Sequence, residues 1–255
     1  MPHKRIYQFF LVYLVGLAFL FLIKHALGLS DYVIPSVGEL QNTAREVFGR
    51  YILDVANTLL VAIVGHVLSI VLASVVGIIG RPTCRVGSLI KVAAYNIQAY
   101  PIVAIAPIIF ILLGDGLSSR LLIAAMICYF PLLLAILGVL GEPVEAVEHF
   151  YVATGKTTWR LQVKIRAFEN IHKLITVVVG SATLAMVGTI VAEFLAASSG
   201  IGHTIRIALY QSDLAKILVA LFEIGICTSI YLALLEWTGV ALQRRLYGPD
   251  QVDFH

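Results

Sequence analysis

The sequence predicts an all-α membrane protein with about six transmembrane helices, and three observations lead to this prediction. Hydrophobic residues make up 60% of the 255 residues. Charged residues make up 13%, about half the share that is typical of soluble domains. Six long runs are almost free of charge, and a helix needs roughly 20 apolar residues to cross the hydrocarbon core. We therefore expect residues 1–255 to form a single membrane domain, without a separate soluble domain of normal size.

The first run, Ile6–Ile23, follows a short basic start. A secretory signal peptide has a similar charge pattern, but its apolar region is usually shorter. A small-residue cleavage site of the Ala-x-Ala type does not follow Lys24 and His25. We therefore interpret this run as an uncleaved first helix.

Residues 33–50 predict an amphipathic helix on the outer surface. Ser36 is followed three residues later by Glu39, which is the pattern of a capping box at a helix start. Val37, Leu40 and Val47 then recur at helical spacing.

Five further runs predict the remaining membrane helices: Val55–Gly80, Val92–Leu113, Leu121–Gly141, Leu174–Ala192 and Ile217–Gln243. The run from Val92 contains Pro101 and Pro107, and prolines inside a span predict kinks or an unwound turn. Such breaks are tolerated where the helix faces protein or water. Interrupted helices tend to line transport paths, so this helix is the favoured place for a path.

The distribution of basic residues predicts the orientation of the chain. Six spans place the two ends of the chain and the segment between the fourth and fifth runs on one side. Twelve of the 18 Lys and Arg residues lie on that side. Cytoplasmic loops carry such an excess, so we expect both ends and the central segment to be cytoplasmic.

The central segment, Glu145–Phe168, is the longest strongly polar part of the chain. Gly155 interrupts it, which favours a bend between two short helices. Trp159 lies seven residues after Val152, on one side of a helical projection, and a basic stripe follows another side. The segment is a candidate docking site for a soluble partner, although charge bias alone would also place basic residues here.

Part of this segment, Gly155-Lys156-Thr157, looks like the end of a phosphate-binding loop. Such a loop requires a glycine five residues before its second glycine, and Phe150 occupies that position. We therefore expect the chain to carry no ATPase of its own.

The central segment resembles the EAA loop of bacterial ABC importer permeases, whose pattern is Glu-Ala-Ala, three residues, Gly, nine residues and Ile-x-Leu-Pro. With the family glycine on Gly155, the family isoleucine falls on Ile165. Other parts of the pattern differ, because the Leu-Pro positions hold Ala167 and Phe168 and the Glu-Ala-Ala positions hold His149, Phe150 and Tyr151. A second stretch, Ala192–Gly202, is similar to the Ala-Glu-Phe-Leu-x-Ala-Ser-x-Gly-Leu-Gly run of nitrate/sulfonate/taurine permeases.

The resemblance implies the type I ABC importer permease fold in a bacterial inner membrane. It implies a permease dimer, homodimeric or heterodimeric, with ATPase subunits on the cytoplasmic side and a solute-binding protein outside. ATP and Mg²⁺ would be bound by the ATPase, and no cofactor is expected in this chain. The implied solute is a small anion of the nitrate, sulfonate, taurine or bicarbonate kind, or a pyrimidine-type compound. The residues implied to contact the ATPase are Val152, Ala153, Thr154, Gly155, Lys156, Thr157 and Trp159.

Polar residues within the apolar runs are candidates for the translocation path, namely Asn57, His66, Asn96, Gln98, Tyr100, Glu193, Ser198 and Ser199. Packing hydrogen bonds between helices are the alternative interpretation for most of them. Glu193 is the sharpest candidate, because a charge at mid-membrane costs about 2.5–3.5 kcal/mol even on the mildest scale. It is expected to face protein or water, either as a path residue or as an acceptor for backbone amides of residues 198–202.

Two alternatives from other classes remain. A proton-coupled secondary transporter would use Glu193 and Glu223 as proton carriers, and would normally show an internal repeat. A membrane-embedded enzyme would use His66 or His203, but the spans carry no metal-spaced pair of His and Glu.

Overall fold

The computed structural model describes residues 2–81, 85–155 and 158–247. Within these ranges the secondary structure is helical, with ten helices in chain order: α1 (Pro2–Leu27), α2 (Val37–Ile79), α3 (Arg85–Ala99), α4 (Ile102–Leu113), α5 (Leu117–Gly141), α6 (Glu145–Ala153), α7 (Trp159–Glu169), α8 (Ile171–Leu195), α9 (Ile201–Tyr210) and α10 (Leu214–Tyr247).

Five of these helices, α1, α2, α5, α8 and α10, are long and apolar enough to cross a membrane. The pair α3 and α4 forms a sixth candidate span, bent by 88° at its break. The break falls at Tyr100 and Pro101, because proline lacks an N–H and disfavours helical geometry in the preceding residue. Five of the six predicted spans are thus present as single helices, the sixth corresponds to the bent pair, and the predicted kink is confirmed; Pro107 lies inside α4.

The predicted helix at residues 33–50 is not a separate element. Ser36 caps a helix as predicted, accepting the Glu39 backbone N–H at 3.2 Å, but that helix continues without a break for 43 residues. Because the stretch between the two predicted helices contains no proline, backbone hydrogen bonding continues through it. At 1.5 Å per residue, α2 is about 65 Å long, roughly twice the hydrocarbon thickness.

The core of the bundle lies between α2, α5, α8 and α10. Small residues allow the helices to approach closely, as is usual in membranes. A Cβ added to Gly65 of α2 would meet the Ala124 side chain of α5 at 3.1 Å. Helix α1 packs against α10, where Tyr13 and Phe222 have ring centroids 4.9 Å apart.

Three contacts bring distant parts of the chain to one end of the bundle. Arg5 of α1 forms an ion pair with Glu236 of α10, and the Tyr247 hydroxyl donates to the Phe168 carbonyl. The guanidinium of Arg81 lies 4.3 Å from the centre of the Trp159 ring. We call this the hairpin end, because it carries α6 and α7, and the opposite end the link end, because it carries the connection from α8 to α9. The common location of the start of α1, the end of α10 and the central segment agrees with the charge distribution.

Candidate functional site

Helices α6 and α7 form a helical hairpin, residues 145–169, with its turn at Gly155. This glycine has a φ of +69°, a left-handed conformation that other residues rarely adopt. The side chain of Thr158 starts α7 by accepting the Leu161 backbone N–H at 3.3 Å. The bend predicted between two short helices is therefore present, and Lys156 and Thr157 of the predicted docking set lie outside the described residues.

A nearly buried ion pair joins the two helices of the hairpin. Arg166 of α7 donates to both carboxylate oxygens of Glu148 of α6, at 2.6 and 2.9 Å. Its third contact is a 2.9 Å hydrogen bond to the carbonyl of Leu140, near the end of α5. The hydrogen bond from Arg166 lowers the pKa of the Glu148 carboxyl below its ordinary value. The hairpin is thus tied to a membrane helix through one arginine.

The tip of the hairpin is exposed. The predicted docking residues Val152, Ala153, Thr154, Gly155 and Trp159 are all exposed. Two guanidinium groups lie near the Trp159 ring, that of Arg81 at 4.3 Å and that of Arg160 at 5.4 Å from its centre. Exposed apolar side chains on a part of the protein outside the membrane indicate a contact surface.

The ion pair between Glu148 and Arg166 was not among the predicted site residues. The sequence does carry a signal for it, because Val163 and Ala167 of α7 pack against the core and Arg166 lies between them on the same side. A charged residue on the buried side of a helix requires a partner of opposite charge.

A second polar cluster lies at the link end and is built around Glu193, which is fully buried. Arg120, in the first turn of α5, forms an ion pair with Glu193 Oε1. The same guanidinium donates to Ser199 Oγ at 3.1 Å and to Asn57 Oδ1 at 3.3 Å. Three predicted path residues, Asn57, Glu193 and Ser199, are therefore joined by one arginine.

The other carboxylate oxygen of Glu193 holds the link between α8 and α9. It accepts the Gly202 backbone N–H at 3.1 Å and the Thr58 hydroxyl at 2.7 Å. Thr58 Oγ1 in turn accepts the Ile201 backbone N–H at 2.9 Å. The carboxylate thus satisfies backbone amides at the start of α9, which is the second of the two roles considered for it.

Two glycines make this close approach possible. Gly200 has a φ of +95°, and a Cβ at this position would overlap the Glu193 carboxyl group. A Cβ at Gly202 would come within 2.7 Å of the Glu193 Cβ and would also overlap the Ile190 carbonyl. Glycine is therefore required at positions 200 and 202 by the close approach of the Glu193 side chain.

The fourth run was predicted to begin at Leu121, which left Arg120 just outside it. The helix begins at Leu117 rather than at Leu121, so Arg120 lies within it and is only 5% exposed. The count of basic residues on each side of the membrane assumes that every basic residue near the end of a span is exposed to water, and Arg120 is not. A buried carboxylate such as Glu193 requires a cation as its partner. This requirement could have indicated that a basic residue near the end of a span is buried beside it.

The remaining predicted path residues lie elsewhere. His66 is fully buried, with its ring nitrogens 2.7 Å from the Tyr231 hydroxyl and 2.9 Å from Ser181 Oγ, so it joins α2, α8 and α10. The Ser198 backbone N–H donates to Asp115 at 3.2 Å. Asn96, Gln98 and Tyr100 are exposed around the end of α3, next to the break before Pro101.

Comparison with known proteins identifies relatives. Residues 69–247 match the sequence model of the family described as binding-protein-dependent transport system inner membrane component. The riboflavin transport system permease protein RibX of Chloroflexus aurantiacus is 35% identical over 132 residues, which cover 51% of this chain and 49% of that protein. The formylaminopyrimidine transport permease protein ThiX of Halalkalibacterium halodurans is 23% identical over 169 residues, covering 66% of this chain and 68% of that protein.

A probable ABC transporter permease protein of Haemophilus influenzae is 27% identical over 133 residues, covering 51% of this chain and 54% of that protein. The chain thus spans about half the length of two of these three relatives.

Proposed function

Because the chain belongs to the binding-protein-dependent transport system inner membrane component family, the permease subunits of ABC importers, we propose that it forms the path of an ATP-driven importer. In this proposal a separate subunit binds and hydrolyses ATP with Mg²⁺, and the chain itself catalyses no reaction. A binding protein delivers the solute from outside. Both chain ends and the α6–α7 hairpin face the cytoplasm, in agreement with the positive-inside bias.

The observation that carries the proposal is the exposed tip of the hairpin together with its rigid attachment. Val152 and Trp159 present 60% and 42% of their surface at the tip. The ion pair between Glu148 and Arg166, with the bond to Leu140, connects this tip to α5. Such a hairpin is suited to transmit closure of an ATPase to a membrane helix as a rigid element.

Two copies of the chain would enclose the path between them. The exposed residues Asn96, Gln98 and Tyr100 lie beside the broken span, and Ser198 and Ser199 are exposed at the link end. Polar groups on the outside of a membrane bundle favour contact with water or protein over contact with lipid. The solute of such a path is proposed to be a pyrimidine-type or related ring compound, because two relatives are named for riboflavin and formylaminopyrimidine transport.

The proton-coupled alternative is not favoured by family membership. Its proposed carrier Glu193 is also engaged by Arg120, Thr58 and Gly202, so its protonation would break a buried ion pair. Glu223 is 3% exposed, and its carboxyl oxygens find no hydrogen-bond partner among the described residues. Glu223 alone does not provide the series of protonatable groups that would carry a proton across the membrane.

Substitutions at the hairpin tip test the proposed function. Trp159→Ala and Gly155→Leu should leave membrane insertion intact and reduce solute uptake per ATP hydrolysed, by at least about tenfold if one contact worth 1.4 kcal/mol is lost. Uptake and ATP hydrolysis are measured in the same proteoliposomes. Trp237→Ala is the matched control, because Trp237 is 61% exposed on α10 and lies outside the α6–α7 hairpin. Unchanged coupling in both tip variants would contradict the assignment.

A further inference from the structure

A groove of about 830 Å³ opens between α8 and α10 at the hairpin end. Arg5 of α1 and Glu169 of α7 stand at its mouth, and Glu236 and Gln243 line it from α10. This volume lies in the range of small-molecule sites, about 300–1,000 Å³.

The α8 wall of the groove carries three polar side chains, His172, Thr176 and Thr183, beside the apolar Ile171, Ile175 and Val179. His172, Thr176, Gly180 and Thr183 follow one another at spacings of four, four and three residues, and all four are exposed. Thr183 lies twelve residues beyond Ile171, which corresponds to about 18 Å along the helix. The ion pair of Arg5 and Glu236 adds charged groups to this lining, and charged groups are costly to cover with lipid tails. We infer that the groove is filled with water.

The formal charges of the groove sum to −1 with His172 neutral, since the lining holds one arginine and two glutamates. Arg5 is engaged by Glu236 in an ion pair. Its positive charge is therefore already balanced, and Glu169 adds a negative charge near the mouth. The groove provides no net positive field to attract a small oxyanion.

The hydroxyl groups of the lining are arranged as acceptors. Thr176 donates to the His172 carbonyl at 2.9 Å, and Thr183 donates to the Gly180 carbonyl at 2.6 Å. The hydroxyl of Tyr247 donates to the Phe168 carbonyl. With their hydrogens engaged by the chain, these oxygens offer lone pairs to a molecule in the groove.

We propose that this groove is a solute-binding chamber of the permease, selective for uncharged or cationic small molecules that carry several hydrogen-bond donors. Small oxyanions such as nitrate or a sulfonate are disfavoured by its charge. The inference rests on the proposed transport function and narrows its solute to the uncharged or cationic, donor-rich class.

Single cysteines placed in the groove test both its water content and its charge preference. The full-length chain, with its three native cysteines replaced by alanine, is placed in nanodiscs that expose both membrane faces. Thr176→Cys and Thr183→Cys are then reacted with a cationic and an anionic methanethiosulfonate reagent. Each rate is divided by the rate of the same reagent with a free thiol. Leu234→Cys is the matched control, because Leu234 is 56% exposed on α10 and lies about 200° around that helix from Glu236.

The proposal expects both groove cysteines to react and the control cysteine to stay unreactive. One negative charge about 8 Å away in water should favour the cationic over the anionic reagent by about fivefold at Thr176→Cys, and by only about twofold at Thr183→Cys, which lies about 18 Å along the helix. Glu169→Gln should remove most of this preference. Unreactive groove cysteines, or equal normalised rates for the two reagents, would overturn the proposal. If an ATPase still co-purifies with the chain in that case, the permease assignment stands and only the chamber is refuted.

Discussion

At the residue scale, the most consequential feature is the buried ion pair between Arg120 and Glu193. The guanidinium and the carboxylate join four helices, α2, α5, α8 and α9, and also hold Ser199 of the link between α8 and α9. Removing one member of a buried pair leaves an uncompensated charge in a nonpolar environment, which typically costs about 3–5 kcal/mol. Stability, rather than solute contact, is therefore the property that this pair should control first.

Glu193→Gln and Arg120→Gln should each reduce the amount of folded protein in the membrane and lower its melting temperature in detergent. The double variant should recover part of the loss, because it removes both charges together. Glu142→Gln is the control, since its ion pair with Lys173 is exposed and such pairs contribute less than about 1 kcal/mol. A Glu193→Gln variant of normal stability that fails in transport would instead make Glu193 a path residue.

Gly200→Ala should also destabilise the link end. The φ of +95° costs a residue with a Cβ about 1–2 kcal/mol, and that Cβ would overlap the Glu193 carboxyl. Gly180→Ala, in a helix position with nothing within 4 Å, should change stability by no more than about 1 kcal/mol. Thermal unfolding of the two variants in the same detergent compares them directly, and equal melting temperatures would refute the close approach.

From the sequence, the environment of a single charged side chain could be predicted. The pairing of two side chains that lie far apart in the sequence could not. A charge in an apolar run required that Glu193 be buried or solvated, and the structure buries it. Its partner Arg120 is 73 positions away, and no local pattern links the two. The partner of Glu148 was missed for the same reason, although Arg166 is only 18 positions away.

At the element scale, the α6–α7 hairpin is the part whose rigidity the proposed coupling requires. Its ion pair is bidentate and nearly buried, and the lowered pKa of Glu148 shows that the ionised form is favoured by Arg166. A carboxyl with a lowered pKa in the folded state stabilises that state at neutral pH. Its contribution is lost as the pH falls below the ordinary value of 4.5 and through the lowered pKa.

Glu148→Gln should loosen the hairpin at neutral pH without unfolding the bundle. Hydrogen bonds to charged groups contribute about 1.5–3 kcal/mol, so backbone amides of α6 should exchange with deuterium about 10–100 times faster. Glu145→Gln, an exposed change in the same helix, is the control. Unchanged exchange in residues 145–169 would show that the ion pair does not hold the two helices together.

Element boundaries show the limits of sequence patterns at this scale. The helix–glycine–helix arrangement and the break at Pro101 were predictable, because glycine and proline restrict the backbone locally. The continuity of α2 was not, because a change from amphipathic to fully apolar character marks a change of environment and not the end of a helix. Only a residue that interrupts backbone hydrogen bonding would have indicated an end.

At the scale of the whole molecule, the hairpin end and the link end divide the work of an importer. The hairpin end collects both chain ends, the exposed hairpin tip and the polar groove, whereas the link end is fixed by the buried cluster around Glu193. The polar, exposed residues of the broken span lie on the outside of the single chain. In the proposed function, a second copy of the chain, or another permease, covers them.

The measurement that tests the account most directly is purification of the tagged chain from its own membrane, in mild detergent, with the composition and ATP-driven uptake of the complex determined together. The account predicts an ATPase in a one-to-one ratio with the permease and solute uptake that requires ATP hydrolysis. A chain that purifies without an ATPase and moves its solute in liposomes on a proton gradient alone would contradict it.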